Sequence, residues 1–263
     1  MPAHTLPSFH RWRKLVDSNH SAVGRIPFTD MTAEPRILAL ETTGLSGTVA
    51  ALVGDRVLAA RELAAGRRSA QSLAPGIAEL WREVGWKPSH VQLIAVTAGP
   101  GSFTGLRVGV TTAKTLAYAT GAAVIAVDTL SAIAAQTPPP IDDVWAAFDA
   151  QRGELFVARW IRRDPNDPLA WQAATKAMIV DGATWAASIP PDSAVTGPPL
   201  RRWRDRISAQ ATIVAEEFWH PLAATVGRLA WRMHQAGERH DAWALAPNYF
   251  RPSAAEEKLN ANR

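Results

Sequence analysis

The sequence predicts an α/β protein of two related lobes, and three observations lead to this fold class. Apolar runs separated by turn-forming residues predict three antiparallel strands at 37–40, 48–53 and 57–63. Two further apolar runs, VQLIAV and GAAVIAV, alternate with helix-like patterns, as buried parallel strands do. A strand, a small polar turn and a second strand then return at 144–160. Two lobes that each open with a hairpin fit this order better than one doubly wound sheet.

The elements of the first lobe follow from local patterns. Gly54 and Asp55 supply the chemistry of a hairpin turn between the second and third strands. The next segment predicts an amphipathic helix, with Ser72 as N-cap and Pro75 in the first turn. The apolar positions of this helix are Leu73, Ile77, Leu80 and Val84. The predicted order of elements is therefore β-β-β-α-β-α-β.

A glycine-rich loop, TAGPGSFTGLRVG, follows the fourth predicted strand. Its members are Gly99, Pro100, Gly101, Ser102, Phe103, Thr104, Gly105 and Arg107. Thr104 can cap a helix that runs to about Thr120, and an anion could sit at the positive end of that helix. However, the loop lacks a Walker-type lysine pattern, and Arg107 falls within the helix. A hydrolase elbow around Ser102 would need glycine at position 100, where Pro100 stands.

The helix after this loop carries a ridge of small side chains. Gly105, Gly109, Ala113 and Ala117 recur every fourth residue and so share one face. Such a ridge permits close approach by another element. Two interpretations remain open: packing against the protein's own sheet or a neighbouring helix, and docking of a partner helix.

The sequence TPPP at 137–140 cannot continue a helix and marks a boundary. Glu41 ends the first strand of one lobe and Asp149 ends its counterpart in the other, which would place both carboxylates at the cleft between the lobes. The alternative is a coincidence between two ordinary hairpins. We expect residues 31–136 and 137–263 to form the two lobes, and residues 1–30 to form an N-terminal extension outside the fold, either disordered or upstream of translation starting near Met31.

Composition limits the chemistry. The 263 residues include no cysteine, which excludes thiolate metal sites and thiol nucleophiles. No apolar run has the length of a membrane span, and we expect a cytoplasmic protein with no membrane partner. The formal net charge is +4, and the arginine-rich segment RRWRDR, residues 201–206, is either a solvated basic face or a contact for a nucleic acid.

Five segments together resemble the TsaB (YeaZ) family: ILALETT, AGPGSFTGLRVGVTTAKTLA, VIAVDTLSAIA, AAFDAQRGELFVA and LAPNYFRPSAAE. The resemblance implies a two-lobed actin/Hsp70-like ATPase (ASKHA) fold with duplicated β-β-β-α-β-α units. It also implies a non-catalytic subunit that binds the paralogous enzyme TsaD. Together with TsaE-type and TsaC-type proteins, that machinery forms threonylcarbamoyladenosine beside the anticodon of tRNA. By the same resemblance, tRNA is met through the complex, and the protein alone can pair with itself.

The resemblance further implies where cofactors and contacts lie. ATP or ADP and a metal are expected on the TsaD partner, and no cofactor on this chain. The partner interface is expected on the two helices, through Leu73, Ile77, Leu80 and the ridge Gly105, Gly109, Ala113 and Ala117.

Two departures from the family pattern affect a nucleotide site. Glu41-Thr42 stands where the family usually reads Asp-Thr, and Ser69-Ala70-Gln71 stands where many members read His-Ser-Glu. The seven histidines include no pair at i, i+4, so no helical face can offer two imidazoles, and we predict no metal site. The alternatives are an ATPase or kinase that uses Glu41, Thr42 and Asp149 in a nucleotide cleft, or a peptidase-like hydrolase that uses Ser102.

Overall fold

A computed structural model describes residues 34–44, 46–63 and 69–250. The predicted extension at 1–30 lies outside the described residues. In the first lobe the strands are β1 (Arg36–Glu41), β2 (Thr48–Val53), β3 (Arg56–Glu62), β4 (Leu93–Gly99) and β5 (Ala123–Asp128), and the helices are α1 (Ser69–Val84) and α2 (Phe103–Thr120). The predicted order β-β-β-α-β-α-β is confirmed.

The first sheet has the order β3-β2-β1-β4-β5. Strand β1 is antiparallel to β2 and parallel to β4, and β4 is parallel to β5. The central strands β1 and β4 are buried on both faces, which explains why they read as continuous apolar runs rather than alternating ones.

The second lobe repeats this plan. Its strands are β6 (Asp143–Asp149), β7 (Glu154–Arg162), β8 (Trp171–Ala173), β9 (Met178–Asp181), β10 (Ala194–Thr196) and β11 (Thr212–Ile213). The sheet order is β11-β10-β6-β7-β8, and β9 also pairs with β7. As β1 is antiparallel to β2 and parallel to β4, so β6 is antiparallel to β7 and parallel to β10. The duplication predicted from the two hairpins is therefore confirmed, and coincidence is excluded.

The two units differ in their helices and in their third strand. Helices α4 (Gly182–Ser188) and α5 (Leu200–Trp203) of the second unit have 7 and 4 residues, against 16 and 18 in α1 and α2. The position of the third strand is shared by β8 and β9.

Each lobe receives a helix from the other half of the chain. Helix α3 (Thr129–Ala134) follows β5 but buries Leu130 and Ile133 against the second sheet. Helix α6 (Ala223–Gln235) follows the second unit but packs its small residues on the first sheet, against Ile37, Ala39 and Leu93. The division into lobes at 31–136 and 137–263 is therefore corrected at these two helices, because each sheet needs cover on both faces.

The starts of α1 and α2 also differ from the sequence prediction. Helix α1 begins at Ser69, so Ser72 is not its N-cap and Pro75 lies inside the helix rather than in its first turn. Helix α2 is capped by Ser102, whose Oγ accepts a hydrogen bond from the Gly105 amide at 3.3 Å, and not by Thr104. Among the described residues, no helix is both long and apolar enough to cross a membrane.

Candidate functional site

The ridge on α2 faces the interior of the first lobe. Gly105, Gly109, Ala113 and Ala117 are all buried. A Cβ added to Gly105 would lie well under 3.0 Å from the carbonyl oxygen of Thr42, and one added to Gly109 would lie under 3.0 Å from the Thr42 hydroxyl. The Thr42 hydroxyl also donates a hydrogen bond to the Gly105 carbonyl at 2.8 Å. The ridge therefore lets α2 approach the segment after β1, as the first interpretation of the ridge predicts.

The predicted interface residues of α1 are interior as well. Leu73, Ile77 and Leu80 belong to the core between α1, α2 and the sheet. The interface predicted from these three residues and the four of the ridge is corrected, because none of the seven side chains reaches the surface. A hydrophobic stripe at helical spacing shows which residues share a face, but not which element covers that face.

The glycine-rich loop meets the segment after β1. The Ser102 amide donates a hydrogen bond to the Thr43 carbonyl at 3.0 Å. A Cβ on Gly101 would lie about 3.0 Å from the Thr43 Cγ2, so this glycine also serves close approach. The protein's own backbone thus occupies part of the N-terminal end of α2, where the sequence suggested an anion.

Glu41 and Thr42 lie inside this junction. Glu41 is 1% exposed, and its carboxylate accepts hydrogen bonds from the Thr43 amide at 2.6 Å and from the Thr43 hydroxyl. Burial raises the pKa of Glu41 to about 7, although the Thr43 hydrogen bonds act in the opposite direction. Of the three residues of the predicted nucleotide cleft, Glu41, Thr42 and Asp149, the first two have their polar groups hydrogen-bonded to the protein's own chain.

Asp149 has a different environment from Glu41, although both end the first strand of their unit. Asp149 is exposed and accepts a hydrogen bond from the Gln151 amide at 2.8 Å.

A carboxylate that sequence reasoning missed, Asp128, ends β5 in register with Gly99. Asp128 caps α3 through the Ser131 amide at 2.8 Å, and burial raises its pKa to about 6. The described residues contain no cluster of three or more histidine or acidic side chains that could hold a metal.

A C-terminal strap, which we define as residues 240–250, lies along the side of α2 that carries Phe103, Arg107 and Lys114. The Asn248 amide donates to the Ala98 carbonyl at 2.7 Å, and Leu245 is buried in the core of the first lobe. The Lys114 ammonium group donates to the carbonyls of Trp243 at 2.9 Å and Leu245 at 3.0 Å. Gly99, with φ of +122°, lies against the Asn248 carbonyl, so the strap seals the start of the glycine-rich loop.

Aromatic side chains fasten the strap. Arg107 lies 3.9 Å from the ring centre of Phe103, and its Nε donates to the Tyr249 hydroxyl at 2.9 Å. The rings of Phe103 and Tyr249 are 4.9 Å apart. Next along the strap, Phe250 lies 5.3 Å from Phe156 of the second lobe. The strap therefore contacts both lobes, and Arg107 is committed to it rather than to an anion.

Sequence reasoning did not assign a role to the strap, although LAPNYFRPSAAE is one of the segments that carry the family resemblance. That segment and AGPGSFTGLRVG lie more than a hundred residues apart in the chain, yet they meet in the fold through Tyr249 and Arg107. The only available signal was the occurrence of both segments in one resemblance.

The two sheets of equal strand order, with helices on their faces, define a two-lobed actin/Hsp70-like α/β protein. Solved structures agree: YeaZ from Pseudomonas aeruginosa matches with a TM-score of 0.71 at 24% identity over 82% of this chain and 100% of that chain. A second structure, of an uncharacterized protein with similarity to peptidase YEAZ from P. aeruginosa, matches with a TM-score of 0.70 at 26% identity.

Sequence comparisons find similar proteins that share one name. A model of the family "TsaD: tRNA N6-adenosine threonylcarbamoyltransferase" matches residues 62–167. The tRNA threonylcarbamoyladenosine biosynthesis protein TsaB of Escherichia coli is 28% identical over 85% of this chain and 98% of its own length. The TsaB protein of Bacillus subtilis is 32% identical over 46% of this chain, which spans about half, 52%, of that relative. With the fold, these matches make the chain similar to TsaB (YeaZ) proteins.

Proposed function

We propose that this chain is a non-catalytic subunit that binds a TsaD-type paralogue in the machinery that forms N6-threonylcarbamoyladenosine beside the anticodon of tRNA. This proposal is supported by the name of two similar proteins, tRNA threonylcarbamoyladenosine biosynthesis protein TsaB. In this proposal ATP or ADP and a metal belong to the TsaD partner, a TsaE-type ATPase joins the complex, and tRNA is met through the complex. Without TsaD, two copies of this chain can pair with each other through the surface that binds TsaD.

The observation that carries the non-catalytic role is the junction between Glu41, Thr42 and α2. An actin-like ATPase needs polar groups at the end of its first strand that can reach the nucleotide and its cation. Here the Glu41 carboxylate is buried and bonded to Thr43, and the Thr42 hydroxyl is bonded to Gly105. Access for a phosphate would require α2 to move away from this segment.

Neither enzymatic alternative gains support from the geometry. Ser102 Oγ is the helix cap of α2, which is a structural role. Asp149 is the one carboxylate of the predicted pair that reaches the surface. ATP turnover that Asp149→Asn abolishes would establish the ATPase instead, and covalent labelling of Ser102 by a fluorophosphonate would establish the hydrolase.

The outer faces of α1 and α2 support helix-to-helix docking. Unlike the buried ridge, these faces are exposed to solvent. Their small side chains are Ala74 and Ala78 on α1, and Thr104, Thr111 and Thr115 on α2. Small exposed side chains let a second helix pair approach closely, as the buried ridge does for the protein's own backbone. We therefore place the TsaD contact on this outer face rather than on the ridge.

The test introduces bulk and charge on the outer face. Ala78→Arg and Thr115→Arg change exposed positions, so both variants should keep the melting temperature of the wild-type protein to within about 2 °C. Each should weaken binding to TsaD by roughly 10-fold or more, because a buried unpaired charge and a steric clash both oppose docking. Ala187→Arg, at an exposed position of α4, is the matched control and should bind as the wild type does.

Three measurements report the result: circular dichroism for folding, co-elution with TsaD in size-exclusion chromatography, and mass spectrometry of the modified nucleoside in a reconstituted reaction. Folded variants that still co-elute would exclude this face. A wild-type chain that neither binds TsaD nor supports the modification would overturn the proposed function.

A further inference from the structure

The strongest feature outside the site described above is a basic platform on the second lobe, formed by Arg202, Arg204 and Arg206. We propose that this platform binds the phosphate backbone of RNA. The inference rests on the proposed function, since that function brings the chain to tRNA. It goes beyond that function by giving this subunit its own contact with the nucleic acid.

The charge of the chain is concentrated here. Residues 201–206 carry four arginines and one aspartate, a net charge of +3, whereas the whole chain has a net charge of +4. Arg201 forms an ion pair with Glu216. Arg202, Arg204 and Arg206 are exposed and form no ion pair with any residue in the described part of the chain. Three cationic groups are therefore left for a ligand.

One indole orders two of these arginines. Trp203 is 9% exposed, and the guanidinium carbons of Arg202 and Arg206 lie 4.6 and 5.7 Å from its ring centre. Cation–π contact restricts both side chains before any ligand arrives, so less conformational entropy is lost on binding.

The indole is itself fixed in the fold. A Cβ added to Gly182 would lie 2.7 Å from both the Trp203 ring and the Gly153 carbonyl. The Gly182 amide donates to that carbonyl at 2.8 Å. The turn between β6 and β7 and the start of α4 thus pack against Trp203, which holds the platform at a defined place on the second lobe.

Two acids lie beside or within the platform, Asp181 and Asp205. Asp181 accepts hydrogen bonds from the Thr184 amide at 2.8 Å and the Thr184 hydroxyl at 2.7 Å. These bonds, with a smaller effect of Arg206, lower the pKa of Asp181. Asp205 is exposed within the platform and offsets one of its charges.

The surroundings favour RNA over an acidic protein. A protein interface needs an apolar or aromatic anchor near its centre that the partner can bury. The only aromatic group of the platform, Trp203, is already buried beneath the arginines. For the same reason bases cannot stack on this indole, so the contact is with phosphates and independent of base sequence.

The test measures the affinity of the full-length chain for an unmodified tRNA transcript by fluorescence anisotropy across a potassium chloride series. Arg202→Gln, Arg204→Gln and Arg206→Gln are combined in one variant. Its control combines Arg82→Gln, Lys87→Gln and Arg239→Gln, which removes three exposed charges from the first lobe. Losing three phosphate contacts should reduce the slope of log affinity against log salt by about 2 and the affinity at about 0.1 M salt by roughly 100-fold. The control should lose much less.

Three outcomes would overturn the inference: equal losses in the two variants, an unchanged salt slope in the platform variant, and a wild-type chain that binds no tRNA. Loss of TsaD co-elution in the platform variant, with tRNA affinity retained, would overturn it too and assign the platform to a protein partner. Co-elution of wild-type chain and TsaD, measured in parallel, tests the proposed function separately, because the platform lies outside the α1–α2 face.

Discussion

The junction between Thr42 and α2 makes a prediction that a short mutant cycle can test. Gly109→Ala would place a Cβ well under 3.0 Å from the Thr42 hydroxyl, but 3.5 Å from both Thr42 Cβ and Val96 Cγ2. Only the hydroxyl obstructs the new methyl group. Turning it away breaks its hydrogen bond to the Gly105 carbonyl.

The magnitude follows from three opposing contributions. Overpacking costs about 1–3 kcal/mol, the lost hydrogen bond costs about 1 kcal/mol, and replacing a helical glycine by alanine returns about 1 kcal/mol. Gly109→Ala should therefore lose about 1–3 kcal/mol of unfolding free energy, or roughly 3–10 °C in melting temperature. Gly105→Ala should lose more, because its obstacle is the Thr42 backbone carbonyl, which cannot rotate away.

Thr42→Ala separates the two cases. It removes the hydroxyl, so Gly109→Ala combined with Thr42→Ala should be more stable than the sum of the two single losses predicts, by about 1 kcal/mol or more. The same change should not rescue Gly105→Ala. Thermal and urea unfolding, followed by circular dichroism, measure all five variants. A Gly105→Ala protein as stable as the wild type, or a cycle without coupling between positions 42 and 109, would refute this packing.

Three further predictions concern other parts of the chain. Because burial raises the pKa of Glu41 from 4.5 to about 7, the folded state holds this proton more tightly than the unfolded state, and stability falls as pH rises through that window. Glu41→Gln should therefore raise the unfolding free energy at about pH 8 by up to about 3 kcal/mol, and the melting temperature with it, but should have no such effect near pH 4.5. An equal effect at both pH values would contradict this. Tyr249→Ala should speed amide hydrogen exchange in the strap while leaving the sheets protected. Tyr249→Phe loses only the hydrogen bond to Arg107 and should have a small effect. Unchanged exchange in the alanine variant would show that Tyr249 does not hold the strap in place. Removal of residues 1–30, which show no patterned apolar face, should leave the melting temperature nearly unchanged, and a fall of many degrees would make them part of the fold.

Local patterns were sufficient to predict the order of elements in the first lobe. Gly54 and Asp55 predicted the β2–β3 turn, and the strands β4 and β5 were evident from their apolar runs. The hairpin repeated at residues 144–160 predicted the second lobe, and the matched strand orders confirm it. Helix starts were less accurate, because Ser72, Thr104 and Ser102 are all residue types that can cap, and only backbone geometry selects among them.

What the sequence by itself determined is the order of elements in the first lobe, the repeated hairpin that opens the second lobe, and a resemblance to the TsaB (YeaZ) family. Tertiary structure alone decided what each face packs against. The spacing of Gly105, Gly109, Ala113 and Ala117 showed that they share a face, but the close contact with Thr42 showed that the face is internal. Likewise, α3 packs on the sheet of the second lobe and α6 on the sheet of the first. Tyr249 contacts Arg107, which lies 142 residues away in the sequence. The physical reason is that periodicity arises within one element, whereas burial, the raised pKa of Glu41 and the position of the strap depend on contacts between elements that are far apart in the chain.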